Sequence, residues 1–476
     1  MKRLKYLATG FVPVFFLFTA CRQDEDPQPA SQVSEVTNEV NNHIDSWIYD
    51  NMDYWYFWND ELPASTDKNA DPETYFKSLL SKEDRFSWIQ DNYRELLNSL
   101  QGIAKEAGYE FVLYREKEGS DNVVMQIMYV KPGSPAETAG LKRGDLITQI
   151  NGNVLTVNNY QDMISDIRKD HTVEYKPILT DEQKFGEPVT TSLVAVQYSE
   201  DPNYLHKVID TGGRKIGYFV YNFFASGTDE QPGKYDAETD AVFADFRSQG
   251  ITDLVVDLRF NSGGSEVSAR NLASLIGQGV DGTKIFLKRE YNDIVQKDIL
   301  NDENLGEDFL ISYYQKEANN VGTQLNGGRV YILTSSRTAS ASELVINALK
   351  PYMDVFLIGD TTYGKNVGSI SLYDEKDPKN MWGMQPIVVK VFNSLDQSDY
   401  SSGFTPDVLH KDNNLFIYPL GDPREALLGL AIGQITGAST TSREGGVTRQ
   451  PLGSSLDFKR RGFSLNMDAG ELRGER

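Results

Sequence analysis

At 476 residues, with 69 acidic against 47 basic side chains and a formal charge of −22, the chain is long enough for two or three domains and too acidic to hold a nucleic acid backbone by charge. Hydrophobic residues at 39% and aromatic residues at 11% mark a globular chain. One cysteine excludes an intramolecular disulfide, and the four histidines, His43, His171, His206 and His410, form no close pair, so no metal ion or other cofactor is expected.

Residues 1–20 carry a basic start, Lys2, Arg3 and Lys5, and then an apolar run over 11–18 that is too short for a comfortable membrane span. They read as a signal peptide. The segment ends in Thr19-Ala20-Cys21, and the chain's single cysteine at that place resembles the lipobox of bacterial lipoproteins, with Phe18 where that pattern prefers leucine. The resemblance implies a lipid on Cys21 and a membrane anchor; an ordinary signal peptide with a stray cysteine is the alternative. Acidic residues follow directly, in Arg22-Gln23-Asp24-Glu25-Asp26-Pro27, and resemble the surface-export signals of Bacteroidetes lipoproteins. They imply the cell envelope of a Gram-negative bacterium, at the outer membrane on its periplasmic or surface face. Residues 21–38 read as a polar tether.

Residues 39–101 predict a small helical domain acting as a brace or lid. Its aromatic stripe, Trp47, Tyr49 and then Tyr54-Trp55-Tyr56-Phe57-Trp58, reads as core or interdomain packing. A first helix is expected to end at Leu62-Pro63, a second to begin over 72–80, and a third to cover 91–100.

Residues 102–197 change to short strands and turns. The run Ser134-Pro135-Ala136-Glu137-Thr138-Ala139-Gly140-Leu141-Lys142-Arg143-Gly144-Asp145-Leu146-Ile147, followed by Ile150-Asn151-Gly152, resembles a PDZ domain. Such domains bind a peptide as an added strand and hold its terminal carboxylate on backbone N–H groups of a glycine-containing loop. The resemblance implies that Gly108, Tyr109, Glu110 and Phe111 form that loop. A PDZ fold that only docks on its own catalytic domain is the competing reading.

Residues 198–437 alternate strands with helices: strands at 214–224, 251–258, 330–333, 355–358 and 386–393, helices at 235–249, 266–276, 341–349 and 423–435. That alternation predicts a mixed or parallel sheet covered on both faces. Residues 438–476 are rich in Gly, Ser, Thr and Arg with little periodicity and read as a disordered tail.

Within the third unit, Ser340 falls at a loop-to-helix junction, where free N–H groups and the helix dipole can stabilise a developing negative oxygen. Lys365 follows a second apolar run and a glycine-flanked turn. A lysine can take a serine's proton only if burial keeps its amine neutral. Helix capping is the bland reading of a serine in this place; Ser342 is a competing nucleophile, and Ser335 and Ser336 read as turn residues.

Thr338-Ala339-Ser340-Ala341-Ser342-Glu343, Thr362-Tyr363-Gly364-Lys365, Asp257-Leu258-Arg259-Phe260-Asn261-Ser262-Gly263-Gly264 and Gly403-Phe404-Thr405-Pro406-Asp407 resemble the motifs of the C-terminal processing peptidases, the tail-specific serine peptidases. The resemblance implies a multidomain α+β chain with a mixed α/β catalytic domain of the ClpP/crotonase-like type, acting on protein or peptide substrates. It makes Ser340 the nucleophile and Lys365 the general base. Gly263 or Gly264, with the N–H of Ala341, becomes the oxyanion hole. Where the family often has a lysine-orienting glutamine, this chain has Ser369. Asp257 and Arg259 read as a structural ion pair. Two other readings stay open: a catalytically silent PDZ scaffold, and a Ser-His hydrolase that would need His410 or His43 beside Ser340. The oligomeric state is not legible.

Overall fold

The computed structural model describes residues 30–64, 66, 68–438, 449–459 and 467. The expected signal peptide and Cys21 lie outside the described residues. Among those described, no helix is long and apolar enough to cross a membrane.

Strand alternation builds the centre of the catalytic unit. In the strands Asp253–Asp257 and Arg329–Thr334, Leu254, Val256, Val330 and Ile332 join one core cluster, while Val255, Tyr331 and Leu333 join another. A strand apolar on both faces is stable only between two layers. Here it lies in a six-stranded sheet ordered Asn203–Thr211, Arg214–Tyr221, Asp253–Asp257, Arg329–Thr334, Asp354–Gly359 and Val408–Leu409, antiparallel in its first pair and parallel in the rest. Helices Lys234–Gln249, Glu266–Ile276 and Ala341–Leu349 supply Phe243, Leu272 and Leu344 to one face; helix Ala426–Thr436 supplies Leu427 and Ala431 to the other. A second, antiparallel sheet runs Ile311–Tyr313, Ile285–Tyr291, Ile387–Phe392, Val367–Ser369. The alternation predicted from sequence is therefore present, with the sheet mixed.

The N-terminal unit differs from expectation in two ways. Its first helix, Ala30–Trp55, begins inside the expected tether and stops before Leu62-Pro63. It also lacks a core of its own. Ile48, Met52, Tyr56, Tyr75 and Phe76 belong to the same buried cluster as the catalytic helices, so the aromatic stripe is interdomain packing. Strand Trp88–Gln90 pairs with Gly383–Gln385 and fastens the unit to the catalytic domain.

The PDZ unit has its own core, including Phe111, Ile127, Leu141, Ile147 and Val173. Its strands run Val189–Leu193, His171–Lys176, Leu146–Ile150, Val123–Val130, Tyr109–Arg115. The outermost neighbour of Tyr109–Arg115 comes from the tail expected to be disordered: Pro451–Ser454 forms a strand and Ser455–Lys459 a helical turn. Composition hid this because strand pairing is supplied by the PDZ edge, while Leu452 and Leu456 are the segment's apolar contribution. The PDZ unit also docks on the catalytic domain. Arg143 donates to Tyr418 O at 2.9 Å and to Asp412 Oδ2 at 3.2 Å. Asp412 in turn accepts from Arg259, which is buried and paired with Asp257 at 2.8 Å and Glu425 at 2.6 Å. Asp257 and Arg259 are thus a structural pair, as read.

Candidate active site

Four neighbouring parallel strands deliver the site from their carboxyl ends, the usual place for ligands in such sheets. Arg214–Tyr221 leads to Phe224, Asp253–Asp257 to the glycine turn, Arg329–Thr334 to Ser340, and Asp354–Gly359 to Lys365.

Ser340 sits immediately before helix Ala341–Leu349 with φ +58° and ψ −113°, a conformation that L-residues avoid unless their surroundings impose it. Glu343 is part of what imposes it. Its carboxylate accepts from the N–H of Ser340 at 2.9 Å and of Lys365 at 2.8 Å through one oxygen, and from Gly364 N–H at 2.7 Å and the Thr362 hydroxyl at 2.6 Å through the other. One side chain thereby holds the serine turn and the lysine turn together. Burial pushes the Glu343 carboxyl up, and these four donors pull it back toward ionisation. Ser340 and Glu343 stand in the spacing of a capping box, yet Ser340 Oγ is buried with no hydrogen-bond partner among the described residues. Ser342, the competing nucleophile, spends its hydroxyl on Asn261 O at 3.1 Å.

Lys365 is 5% exposed. Its Nζ lies 5.0 Å from the centre of the Phe86 ring, and burial pulls its pKa down to about 7 against the upward pull of Asp84 and Glu343. Those carboxylates are already committed. Asp84 accepts from the Tyr56 hydroxyl at 2.8 Å and from the N–H groups of Phe86 and Ser87 at 2.8 and 2.9 Å. The N-terminal unit thus builds the lysine's pocket, and Arg85 closes it by donating to Gly364 O at 2.8 Å and Ser401 O at 3.0 Å. A cleft of about 350 Å³ opens there, lined among others by Phe86, Trp88, Ser262, Tyr363, Lys365 and Asp457.

Of the expected oxyanion residues, Gly263 has another task. Its N–H is given to Asn261 Oδ1 at 2.9 Å, and a Cβ on it, at φ +111°, would stand 2.7 Å from Ser340 Cβ. It lets the nucleophile turn approach. The N–H groups of Gly264 and of Ala341, first residue of its helix, are the donors that remain from that reading. Ser369 is also displaced from its expected role: its hydroxyl donates to Gln385 Oε1 at 2.7 Å, on the strand Gly383–Gln385, and no bond to Lys365 is formed among the described residues.

The histidines stay away. His43 pairs with Asp377, His171 with the Tyr109 hydroxyl at 3.0 Å, His206 packs on Phe246, and His410 Nε2 is buried without a partner among the described residues. Ser340 Oγ bonds to none of them among the described residues, and the Ser-His arrangement is not formed.

The expected carboxylate loop of the PDZ unit is tied to its own domain and to the tail. Gly108 O accepts from Lys131 N–H at 2.9 Å and Ser134 Oγ at 3.2 Å, Tyr109 is tied to His171, and Glu110 faces Lys131 at 3.1 Å. The Phe111 N–H donates to Ser455 Oγ at 2.9 Å. Glu106, Glu110 and Glu200 converge as a metal-binding trio would, but Lys131 Nζ already pairs with all three.

A strained serine and a buried lysine whose pKa is lowered by burial, joined by one carboxylate and approached by a glycine turn, define a serine hydrolase site of the Ser/Lys kind. Residues 215–409 match peptidase family S41, residues 43–88 the peptidase S41 N-terminal domain, and residues 126–176 a PDZ domain. The chain is 26% identical over 400 residues to a carboxyl-terminal-processing protease of Picosynechococcus sp., covering 80% of this chain and 85% of that one. It is 24% identical over 347 residues to the chloroplastic C-terminal processing peptidase of Tetradesmus obliquus, covering 65% and 67%. Its fold matches a Bacteroides fragilis structure assigned to the S41 proteases, with TM-score 0.67 and 26% identity over 82% of this chain and 97% of that one. The chain belongs to peptidase family S41, and it is a serine peptidase.

Sequence reasoning quoted Glu343 without assigning it a role and gave Asp84, Arg85 and Phe86 none. The S-x-x-E spacing of a capping box was the available signal for the first; no local signal marks the others.

Proposed function

We propose that the protein is a serine endopeptidase that cleaves unstructured polypeptides, presented by their C-terminal segments to the PDZ unit, through an acyl-enzyme on Ser340. Lys365, neutral above about pH 7, takes the Ser340 proton as Oγ attacks the scissile carbonyl, and the resulting ammonium protonates the leaving amine. The N–H groups of Gly264 and Ala341 receive the oxyanion. Water, deprotonated by the same lysine, then releases the acyl group. The observation that carries the reading is the shared Glu343 oxygen, which sets a strained Ser340 and a desolvated Lys365 side by side. Placement in the cell envelope through a lipid on Cys21 belongs to the same proposal and is supported by the residues around that cysteine.

The test is degradation of an unfolded protein by the chain lacking residues 1–21, beside Ser340→Ala and Lys365→Ala. Cleavage by the parent alone is expected. A parent as inert as both variants, with C-terminal peptides of varied sequence also offered, would return the silent-scaffold reading.

A further inference from the structure

The strand Tyr109–Arg115 has two edges. One is paired with Val123–Val130, and the other is covered by the chain's own Pro451–Ser454, antiparallel, with Pro451 opposite Tyr114, Gly453 opposite Leu113 and Ser454 opposite Val112. The segment therefore runs toward Gly108, the direction a peptide takes when it adds to a PDZ edge with its chain end at the glycine loop. Where that end would be received, Ser455 stands instead. Its hydroxyl accepts from Phe111 N–H at 2.9 Å and donates to Phe111 O at 3.3 Å.

Side chains seal the contact. Leu452 packs on the PDZ core. Leu456 is 5% exposed and lies among Val112, Tyr114 and Tyr129 of the PDZ unit and Phe260 of the catalytic unit. The Arg449 guanidinium lies 3.8 Å from the centre of the Tyr114 ring and donates to Gln126. The segment also reaches the catalytic machinery. Arg337, in the nucleophile loop, donates to Ser454 Oγ at 2.7 Å and faces Asp457 at 3.6 Å, and Asp457 lines the active-site cleft. Further along, Met467 N–H donates to Ser369 O at 3.0 Å, on the strand that follows Lys365.

We propose that residues 449–459 are a resident, intramolecular ligand of the PDZ groove, and that an extended substrate segment binds only by displacing them from the Tyr109–Arg115 edge. The exclusion is steric and complete, because one strand edge pairs with one strand. A tethered ligand acts at an effective concentration in the millimolar range, so a resident segment of micromolar intrinsic affinity weakens a competing free peptide by roughly one hundredfold or more. Displacement would also remove Ser454 and Asp457 from Arg337 beside the nucleophile. The proposal rests on the peptidase reading only for its consequence in catalysis; groove occupancy stands apart from it.

The probe is a labelled synthetic peptide of residues 449–459, followed by fluorescence anisotropy, with the chain lacking residues 1–21 and carrying Ser340→Ala so that nothing is cleaved. Replacing the two apolar anchors together, Leu452→Asp and Leu456→Asp, is expected to tighten binding of the probe at least tenfold. Equal binding by parent and variant overturns the proposal. A reversible form guards against misfolding: Val112→Cys with Ser454→Cys places the only two cysteines of that chain at an antiparallel pair, whose Cα spacing suits a disulfide. Oxidation should abolish probe binding and a thiol reductant should restore it to the level of the Ser340→Ala parent; unchanged binding on oxidation refutes resident occupancy. In the active background, with Ser340 intact, oxidised enzyme should degrade an unfolded protein at least tenfold more slowly than reduced enzyme, and equal rates refute the gating consequence. If the active parent degrades nothing while the binding shifts occur, occupancy stands and the peptidase reading alone fails.

Discussion

Two buried lysines in this molecule have opposite chemistry. Lys131, 1% exposed, is surrounded by Glu106, Glu110 and Glu200, and despite burial these carboxylates hold its pKa well above the ordinary lysine value. Lys365, 5% exposed, rests against the Phe86 ring, and burial brings its pKa down to about 7 against the upward pull of Asp84 and Glu343, which form no ion pair with it among the described residues. Desolvation acts on both. The difference lies in whether carboxylates pair with the ammonium and compensate it. Lys131 remains an ammonium that joins three segments of chain; Lys365 is the base of the proposed mechanism. Burial alone therefore does not lower a lysine's pKa; burial without an ion pair does.

The sharpest way to break this comparison is to remove the base. In the proposed mechanism Lys365→Ala lowers kcat/KM by about a thousandfold or more, measured on an unfolded protein substrate. The companion Lys365→Met should raise thermal stability at neutral pH. The sign follows from linkage: with a folded-state pKa near 7 against 10.5, the unfolded chain binds more protons between those values, so parent stability rises with pH across that window. The advantage of the methionine variant, on the order of 5 kcal/mol at most, should be full below pH 7 and fade toward pH 10.5. An advantage independent of pH would mean that Lys365 is charged in the fold.

A second test turns one lysine into the other. Phe86→Asp places a carboxylate beside Lys365 and should raise its pKa, lowering kcat/KM at pH 7.5 by roughly a hundredfold while moving the rising limb of the pH profile to the alkaline side. In the parent, kcat/KM should climb with pH around a midpoint near 7; a flat profile from pH 5 to 9 would remove Lys365 as the base.

On the other side, Glu110→Gln leaves Lys131 with fewer charges to face and should lower stability by about 1–3 kcal/mol, read from denaturant unfolding. The smallest effect is expected for Ser369→Ala, under threefold in kcat/KM, because the Ser369 hydroxyl serves Gln385. A hundredfold loss would restore it as a lysine-positioning residue.

Much of this was legible in the linear chain. Helix 266–276 and helix 341–349 were read at their observed bounds, since spacing of apolar residues at helical period is local information. Ser340 and Lys365 were legible through motif resemblance, and their neighbourhood could be anticipated from the strands that precede them. The lysine's pocket was not, because Asp84, Arg85 and Phe86 stand about 280 residues before it and no short-range pattern announces a contact of that reach. The roles of Gly263 and Ser369 were misread for a related reason. A motif names a residue type at a position, whereas the hydrogen bonds of Gly263 to Asn261 and of Ser369 to Gln385 depend on where the backbone has already gone.

The tail marks the limit most clearly. By itself the sequence determined that 438–476 cannot build a core: four leucines, two phenylalanines, a valine and a methionine, scattered without periodicity among Gly, Ser, Thr and Arg, are too few to offset the loss of backbone freedom. The tertiary structure decided that residues 451–454 are nonetheless a strand, because the PDZ edge supplies the hydrogen-bonding partners, and Val112, Tyr114 and Phe260 the apolar surface, that the segment lacks.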